Sequence, residues 1–120
     1  MILAVAKLGV KLERVQNAAV VRLTGEVDAQ SAPDLEKALR TARGEVASVI
    51  VADLSGLGYL GSAGWGMLLA SAKGIEGDGK QFVLAGMSKE IRKVFEMLHF
   101  HRVLRSSPDV ETAIRLSGGS

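Results

Sequence analysis

The sequence has no cysteine, two prolines and few aromatic residues. Without cysteine the chain cannot form disulfides or thiolate metal sites, and this composition suits a reducing cytoplasm. Aromatic residues make up only 4% of the chain, so platforms for stacking a cofactor are scarce. The apolar stretch at residues 1–6 stops at Lys7 and is too short for a signal-peptide core or a membrane span. We therefore expect a cytoplasmic protein that starts here, without membrane insertion.

Charge is nearly balanced along the chain. The 15 basic and 13 acidic residues leave a net charge of +2 and are spread over the whole sequence. This distribution gives no sign of a basic patch, so we expect no nucleic-acid partner. With 120 residues and 48% hydrophobic content, the chain is expected to form one domain over residues 1–120, with a core of Val, Leu, Ile and Ala.

Hydrophobic periodicity predicts the order β-β-α-β-α-β-α-(β)-α. This order favours an α/β fold with a mixed sheet of about four to five strands, packed with about four helices. The predicted strands are residues 10–15, 19–24, 46–52 and 81–85, with a short edge strand at 101–104. The predicted helices start at Ser31, near Ser62, at Ser88 and at Ser107. The first helix is expected to end at about Arg43, and the second between Gly74 and Gly79. The third helix carries an apolar stripe of Ile91, Val94, Phe95 and Leu98. Residues 117–120 are expected to form a flexible tail.

A serine among small residues is the most informative feature of the chain. The strand at 46–52 is followed by a predicted turn through Asp53–Gly56, and Ser62 then falls where an apolar helix begins. One interpretation makes Ser62 a helix N-cap, worth about 1 kcal/mol and nothing more. The other makes it a functional hydroxyl, because the N–H groups of a helix N-terminus stabilise an added phosphate.

The neighbours of Ser62 bear on this choice. Gly61, Ala63 and Gly64 are small enough to let another protein's backbone approach closely. Trp65 is either an amphipathic contact for that partner or ordinary core filler.

Two enzyme motifs can be considered, and the residues around them argue against both. Gly56–Gly61 reads G-x-G-x-x-G after a strand, but further glycines follow and the next strand ends without an acid, so a nucleotide-binding protein is a remote alternative. A hydrolase nucleophile elbow needs glycine where Leu60 stands. His99 and His101 lack metal-ligand spacing. We expect no catalytic residue, metal or cofactor, and hence no enzyme.

A second polar cluster, Thr24–Asp28, follows the second predicted strand. Taken alone it is a strand-ending turn in which Asp28 helps to start the first helix. If the second and third strands are neighbours, Glu26 and Asp28 share a face with Ser62.

Five segments together resemble the STAS domain of bacterial anti-sigma factor antagonists. They are Arg22-Leu-Thr-Gly-Glu-Val-Asp28, Ser31-Ala-Pro-Asp-Leu35, Val49-Ile-Val-Ala-Asp-Leu-Ser55, Ser62-Ala-Gly-Trp-Gly66 and Gly79-Lys-Gln-Phe-Val-Leu84. The resemblance runs in order, with matching spacing, from about residue 8 to residue 116.

The resemblance implies a small α/β domain that binds an anti-sigma factor, itself an ATP-binding serine kinase, and so frees a sigma factor. Ser62 matches the serine that the kinase phosphorylates, and a serine phosphatase restores the binding form. The expected partner-binding residues are Glu26, Asp28, Gly61, Ser62, Ala63, Gly64 and Trp65.

The chain departs from the family pattern beside the acceptor serine. The family commonly has aspartate before this serine and a hydroxyl residue after it, where this chain has Gly61 and Ala63. This departure favours an alternative role, in which an unphosphorylated STAS scaffold or regulatory subunit serves a signalling assembly or a membrane transporter ATPase.

Overall fold

The computed structural model describes residues 7–118. The strands are β1 (Leu8–Val15), β2 (Ala18–Val27), β3 (Val49–Leu60), β4 (Gln81–Ala85) and β5 (Arg105–Ser107), and the α-helices are α1 (Ala32–Arg43), α2 (Ser62–Gly77), α3 (Lys89–Met97) and α4 (Val110–Gly118). Residues 1–6 lie outside this part of the chain, as do the last two, so the predicted start of the protein and the end of the tail fall beyond it. At the described end, α4 includes Ser117 and Gly118, which were predicted to be tail.

The strands form one sheet in the order β1-β2-β3-β4-β5. β1 and β2 are an antiparallel hairpin, and β2, β3, β4 and β5 run parallel to one another. The predicted α/β class with a mixed sheet is confirmed. Since parallel strands end at the same edge, the chain leaves β2, β3 and β4 on one side of the domain, and α1, α2 and α3 start there.

Each face of the sheet has its own apolar layer. One face packs against α1, α2 and α3 and includes Leu23, Ile50 and Phe82, while the other packs against α4 through Ala113 and Ile114. Burial on both faces explains the nearly continuous apolar run that begins β3. The structure thus has the aliphatic core that the composition predicts.

β2 and β3 are longer than the sequence predicts, and the turn expected at Asp53–Gly56 is wrong. The two strands remain paired as far as Val27 and Leu60, through two shifts of register. A Cβ on Gly56 would lie 2.7 Å from the Leu23 carbonyl oxygen, so this glycine allows a close approach of the strands at a shift. β3 also starts later than predicted, at Val49, and Val46 is exposed.

The C-terminal part of the chain also differs from the prediction. Residues 100–102 form a 3-10 helix, and the short strand β5 follows it instead of occupying 101–104. Leu98 lies beyond the end of α3 and is exposed. α4 starts at Val110, where Thr112 N–H donates to the Asp109 carboxylate at 2.7 Å, so the start predicted at Ser107 is wrong.

The starts of α1 and α3 were predicted correctly. Ser31 is the N-cap residue of α1, and Gly44 closes that helix. The Ser88 hydroxyl caps α3 by accepting a hydrogen bond from Ile91 N–H at 3.2 Å. Within residues 7–118, no helix combines the length and apolar character needed to cross a bilayer.

Candidate functional site at the start of α2

The start of α2 is fixed by the end of β2. Gly61 N–H donates to the Val27 carbonyl at 2.9 Å, and Gly61 has the extended backbone of an N-cap residue. Ser62 is therefore the first residue of the helix, and its interpretation as N-cap is wrong. Its side chain is exposed, and the hydroxyl makes no hydrogen bond to another residue in the range 7–118.

The first turn of α2 offers backbone donors to an anion. The first helical hydrogen bond here runs from Trp65 N–H to the Gly61 carbonyl at 3.0 Å, and the N–H groups of residues 62–64 precede it. No acidic side chain lies in this turn to use the positive end of the helix dipole. A phosphoryl group on Ser62 would be attached at that end, so the arrangement is chemically suited to carry a phosphoserine.

The small residues around Ser62 differ in exposure. Ala63 and Gly61 are half-buried, whereas Gly64 is buried against the sheet. A Cβ on Gly64 would lie 2.4 Å from Leu60 Cδ1 and 2.8 Å from Val27 Cγ1. Gly64 therefore lets α2 pack closely on the sheet, while residues 61–63 form the accessible part of the turn.

Trp65 lies in the core. Its side chain is 4% exposed, and its ring centroid is 5.0 Å from that of Phe100 and 6.1 Å from that of Phe95. Of the two roles that the sequence leaves open for Trp65, the structure shows the packed core residue. The Trp65 ring packs in the core beneath the first turn of α2 and is not presented at the surface.

Glu26 and Asp28 lie beside this turn. Glu26 is on β2 opposite Tyr59 of β3, and Asp28 follows directly after the Val27 carbonyl that holds Gly61. The structure thus brings the two predicted acids to the strand ends from which α2 starts. Asp28 also accepts hydrogen bonds from the N–H groups of Gln30 and Ser31, at 3.0 and 3.1 Å, confirming that it helps to start α1.

Two further residues of this corner were not singled out from the sequence. Tyr59 is 51% exposed, and its hydroxyl oxygen lies 2.8 Å from where a Cβ on Gly61 would be. Lys7 Nζ forms an ion pair with the Asp28 carboxylate at 2.6 Å. Recognising that β3 continues to Leu60 would have placed Tyr59 beside Ser62, whereas no local pattern pairs Lys7 with Asp28.

Lys7 and the start of α1 set the acidity of Asp28. The Lys7 ammonium, followed by the Ser31 N–H, lowers the pKa of Asp28 from 3.8 to about 2. The carboxylate therefore remains charged at any physiological pH. The ionised carboxylate and the Lys7 ammonium thus form an ion pair at the corner where α2 begins.

We expect the contribution of Asp28 to stability to depend on pH. Its pKa is lower in the folded chain than in the unfolded one, so the contribution is complete above about pH 4 and disappears as pH falls through about 2. Asp28→Asn should lower the urea unfolding midpoint at neutral pH and have much less effect at about pH 2. The control Glu26→Gln removes a neighbouring exposed carboxylate that takes no part in the start of α1. An equal effect of Asp28→Asn across the whole pH range would contradict the prediction.

The alternative chemistries find little support in the described residues. Gly56–Leu60 belong to β3 and pair with β2, so the loop that a dinucleotide-binding turn needs is absent there. Across residues 7–118, no three His, Asp or Glu side chains come together as a metal site would require. The rings of His99 and His101 are 5.7 Å apart, beyond the end of α3.

Comparison with known proteins places this geometry in a family. A model of the STAS domain matches residues 9–113. An anti-sigma-B factor antagonist of Staphylococcus aureus is 29% identical over 77 residues, which cover 64% of this chain and 71% of the relative. An anti-sigma factor antagonist from Mycobacterium paratuberculosis has the same fold, with a TM-score of 0.85 at 23% identity over 92% of this chain and 94% of the other. The phosphorylated form of SpoIIAA, a Bacillus cell fate determinant, gives a TM-score of 0.68 at 23% identity, over 90% and 99% of the two chains.

Proposed function

Because the chain belongs to the STAS domain family, we propose that it is an anti-sigma factor antagonist. In this proposal it binds an anti-sigma factor that is also an ATP-dependent serine kinase, and binding releases a sigma factor. Phosphorylation of Ser62 ends the interaction, and a serine phosphatase restores it. The chain acts as a cytoplasmic binding protein, and the kinase supplies ATP and Mg²⁺.

The observation that carries the proposal is the exposed Ser62 hydroxyl at the first position of α2. Gly61 and Ala63 beside it have no side chain beyond Cβ, so a kinase can bring the γ-phosphate of ATP to the hydroxyl oxygen. That oxygen forms a bond to phosphorus as the bond to ADP breaks, and the hydroxyl proton passes to a base of the kinase. A structural neighbour that has been solved in a phosphorylated form supports the same chemistry here.

Local charge explains how phosphorylation ends binding in this proposal. A phosphoserine adds about −1.5 to −2 charge. Glu26 and the ionised Asp28 already lie at the ends of the neighbouring strand. A partner surface matched to the unmodified turn would then meet added negative charge and a bulkier side chain, which costs affinity without unfolding the domain.

The proposed partner surface consists of Glu26, Asp28, Gly61, Ser62 and Ala63. These residues meet where β2 and β3 end and α2 begins. Gly64 and Trp65, also expected in the interface, support it from inside through packing on the sheet and on Phe100.

Mass spectrometry tests the switch directly. The chain is purified from its native host under resting and stressed growth, and its intact mass is measured before and after phosphatase treatment. We expect a phosphatase-sensitive increase of one phosphate, which peptide mapping over residues 54–73 places on Ser62. A chain that is never modified, together with no labelling by the co-purified kinase, would contradict the switch.

Gly61 favours a second candidate function. The family's usual aspartate is missing there, and the Tyr59 ring covers the place that its side chain would take. A STAS subunit that uses this turn without phosphorylation, in a signalling assembly or on a transporter ATPase, is consistent with that difference. Pull-down with the wild-type chain separates the two, because the first requires a kinase-fold anti-sigma factor and the second a transporter ATPase or scaffold.

A further inference from the structure

β1 lies at the edge of the sheet and pairs on one side only. Its partner is β2, in a continuous antiparallel register from Leu8 opposite Gly25 to Val15 opposite Ala18. Glu26 N–H donates to the Lys7 carbonyl at 2.8 Å, which continues the same ladder by one residue. In an antiparallel ladder the hydrogen-bonded positions alternate. The backbone N–H and C=O groups of Lys7 and of every second residue after it therefore point towards β2.

The outer edge of β1 therefore presents the backbone N–H and C=O groups of Leu8, Val10, Leu12 and Arg14. Among residues 7–118, no other strand pairs with this edge. β1 has no proline, and its register with β2 has no bulge, so two common devices that prevent edge pairing are missing.

Apolar side chains extend along the same edge. Val10 is 44% exposed and Leu12 37% exposed, on the face that packs against α1. With Ala38 and Thr41 of α1 they line a groove of about 390 Å³. Pairing a further strand with β1 would extend the sheet under α1 and cover these side chains.

The charges of β1 match those of a second β1 in an antiparallel register near the middle of the strand. When two copies pair about a two-fold axis at Leu12, Lys11 of each lies opposite Glu13 of the other. A shift to the neighbouring axis at Lys11 places two lysines opposite each other, and the axis at Glu13 does the same with two glutamates. Opposite charges in facing positions stabilise a strand pair and like charges destabilise it, so the charges favour the axis at Leu12 over both neighbouring axes.

We propose that the outer edge of β1 is a homodimer interface in which two copies pair antiparallel about Leu12. The two five-stranded sheets then join into one. β2 lies between β1 and β3, and α2 starts from the end of β3, so pairing at the outer edge of β1 leaves Ser62 uncovered. The dimer does not depend on the function proposed above.

Sedimentation equilibrium of the purified chain from micromolar to millimolar concentration tests the proposal. We expect a monomer–dimer equilibrium for the wild type. Lys11→Glu and Glu13→Lys each place like charges opposite each other twice, and each should weaken the dimer about tenfold or more. An equimolar mixture of these two variants should form a heterodimer, because each lysine then faces a glutamate. The double variant Lys11→Glu with Glu13→Lys should dimerise like the wild type.

Matched variants separate pairing from loss of folding. Lys93→Glu makes the same charge change on α3 and should leave the dimer unchanged. Glu13 also pairs with Lys11 and Arg22 within its own chain, so circular dichroism must show that Lys11→Glu and Glu13→Lys are folded. If that variant is unfolded, Leu12→Lys replaces it, since two lysines would then meet at the axis. A wild-type chain that stays monomeric, or a dimer that none of these changes weakens, would overturn the proposal.

Discussion

Replacing Trp65 by alanine should lower the free energy of unfolding by about 3–5 kcal/mol, the usual cost of removing a large buried aromatic side chain. The ring is 4% exposed and lies between the first turn of α2 and the aromatic rings of Phe95 and Phe100. Its loss would leave a cavity below the residues that present Ser62. Urea unfolding followed by far-UV circular dichroism measures the effect.

Trp65→Phe is the matched control. The indole Nε1 is buried without a hydrogen-bond partner in the described part of the chain. Replacement by phenylalanine therefore removes no hydrogen bond and keeps most of the apolar contact. We expect it to cost less than half as much as alanine. If Trp65→Ala changed stability by under about 1 kcal/mol, Trp65 would not be a core residue and a surface role would be restored to consideration.

The order of elements could be predicted because each buried stripe has a clear period. α1 shows this well, since Ser31, an early proline and Gly44 bound a helical apolar pattern that the structure reproduces. β3 was predicted too short because glycine usually marks a turn. At Gly56 the glycine instead permits two bulged parallel strands to approach, and that depends on how β2 and β3 pair rather than on local sequence.

The candidate site was predicted in part, because local apolar periodicity locates the start of α2 but not the residues that pack around it. Ser62 at the start of a helix follows from the apolar pattern after it, and the structure confirms that position while excluding the N-cap role. Tyr59 was missed because its segment was interpreted as part of a glycine-rich turn. The choice between surface and core for Trp65 required the positions of Phe95 and Phe100, which come from distant elements.

The C-terminal elements were harder to predict because they are short. β5 has three residues and is exposed for most of its length, so it carries no periodicity that a pattern could reveal. The 3-10 helix lies between α3 and β5 in the chain and takes part of the segment where the strand was expected.

Ser62→Asp should reduce affinity for the anti-sigma factor kinase by about 100-fold or more, if the function proposed above holds. The added carboxylate lies at the first position of α2, near Glu26 and the ionised Asp28. Isothermal titration calorimetry with the kinase captured by the wild-type chain measures the loss. Ser62→Ala should bind as the wild type does and resist phosphorylation.

The same substitution should not destabilise the fold, and this separates a switch from simple damage. A negative charge in the first turn of a helix is favourable by about 0.3–1 kcal/mol, so the urea midpoint should stay level or rise. Ala70→Asp adds the same charge to an exposed position further along α2, and it should leave kinase affinity within about twofold of wild type. If Ser62→Asp and Ala70→Asp weakened binding equally, the effect would come from net charge, and Ser62 would lose its special place. If instead Ser62→Asp bound normally, residues 61–63 would lie outside the partner interface, and the proposed switch at Ser62 would be wrong.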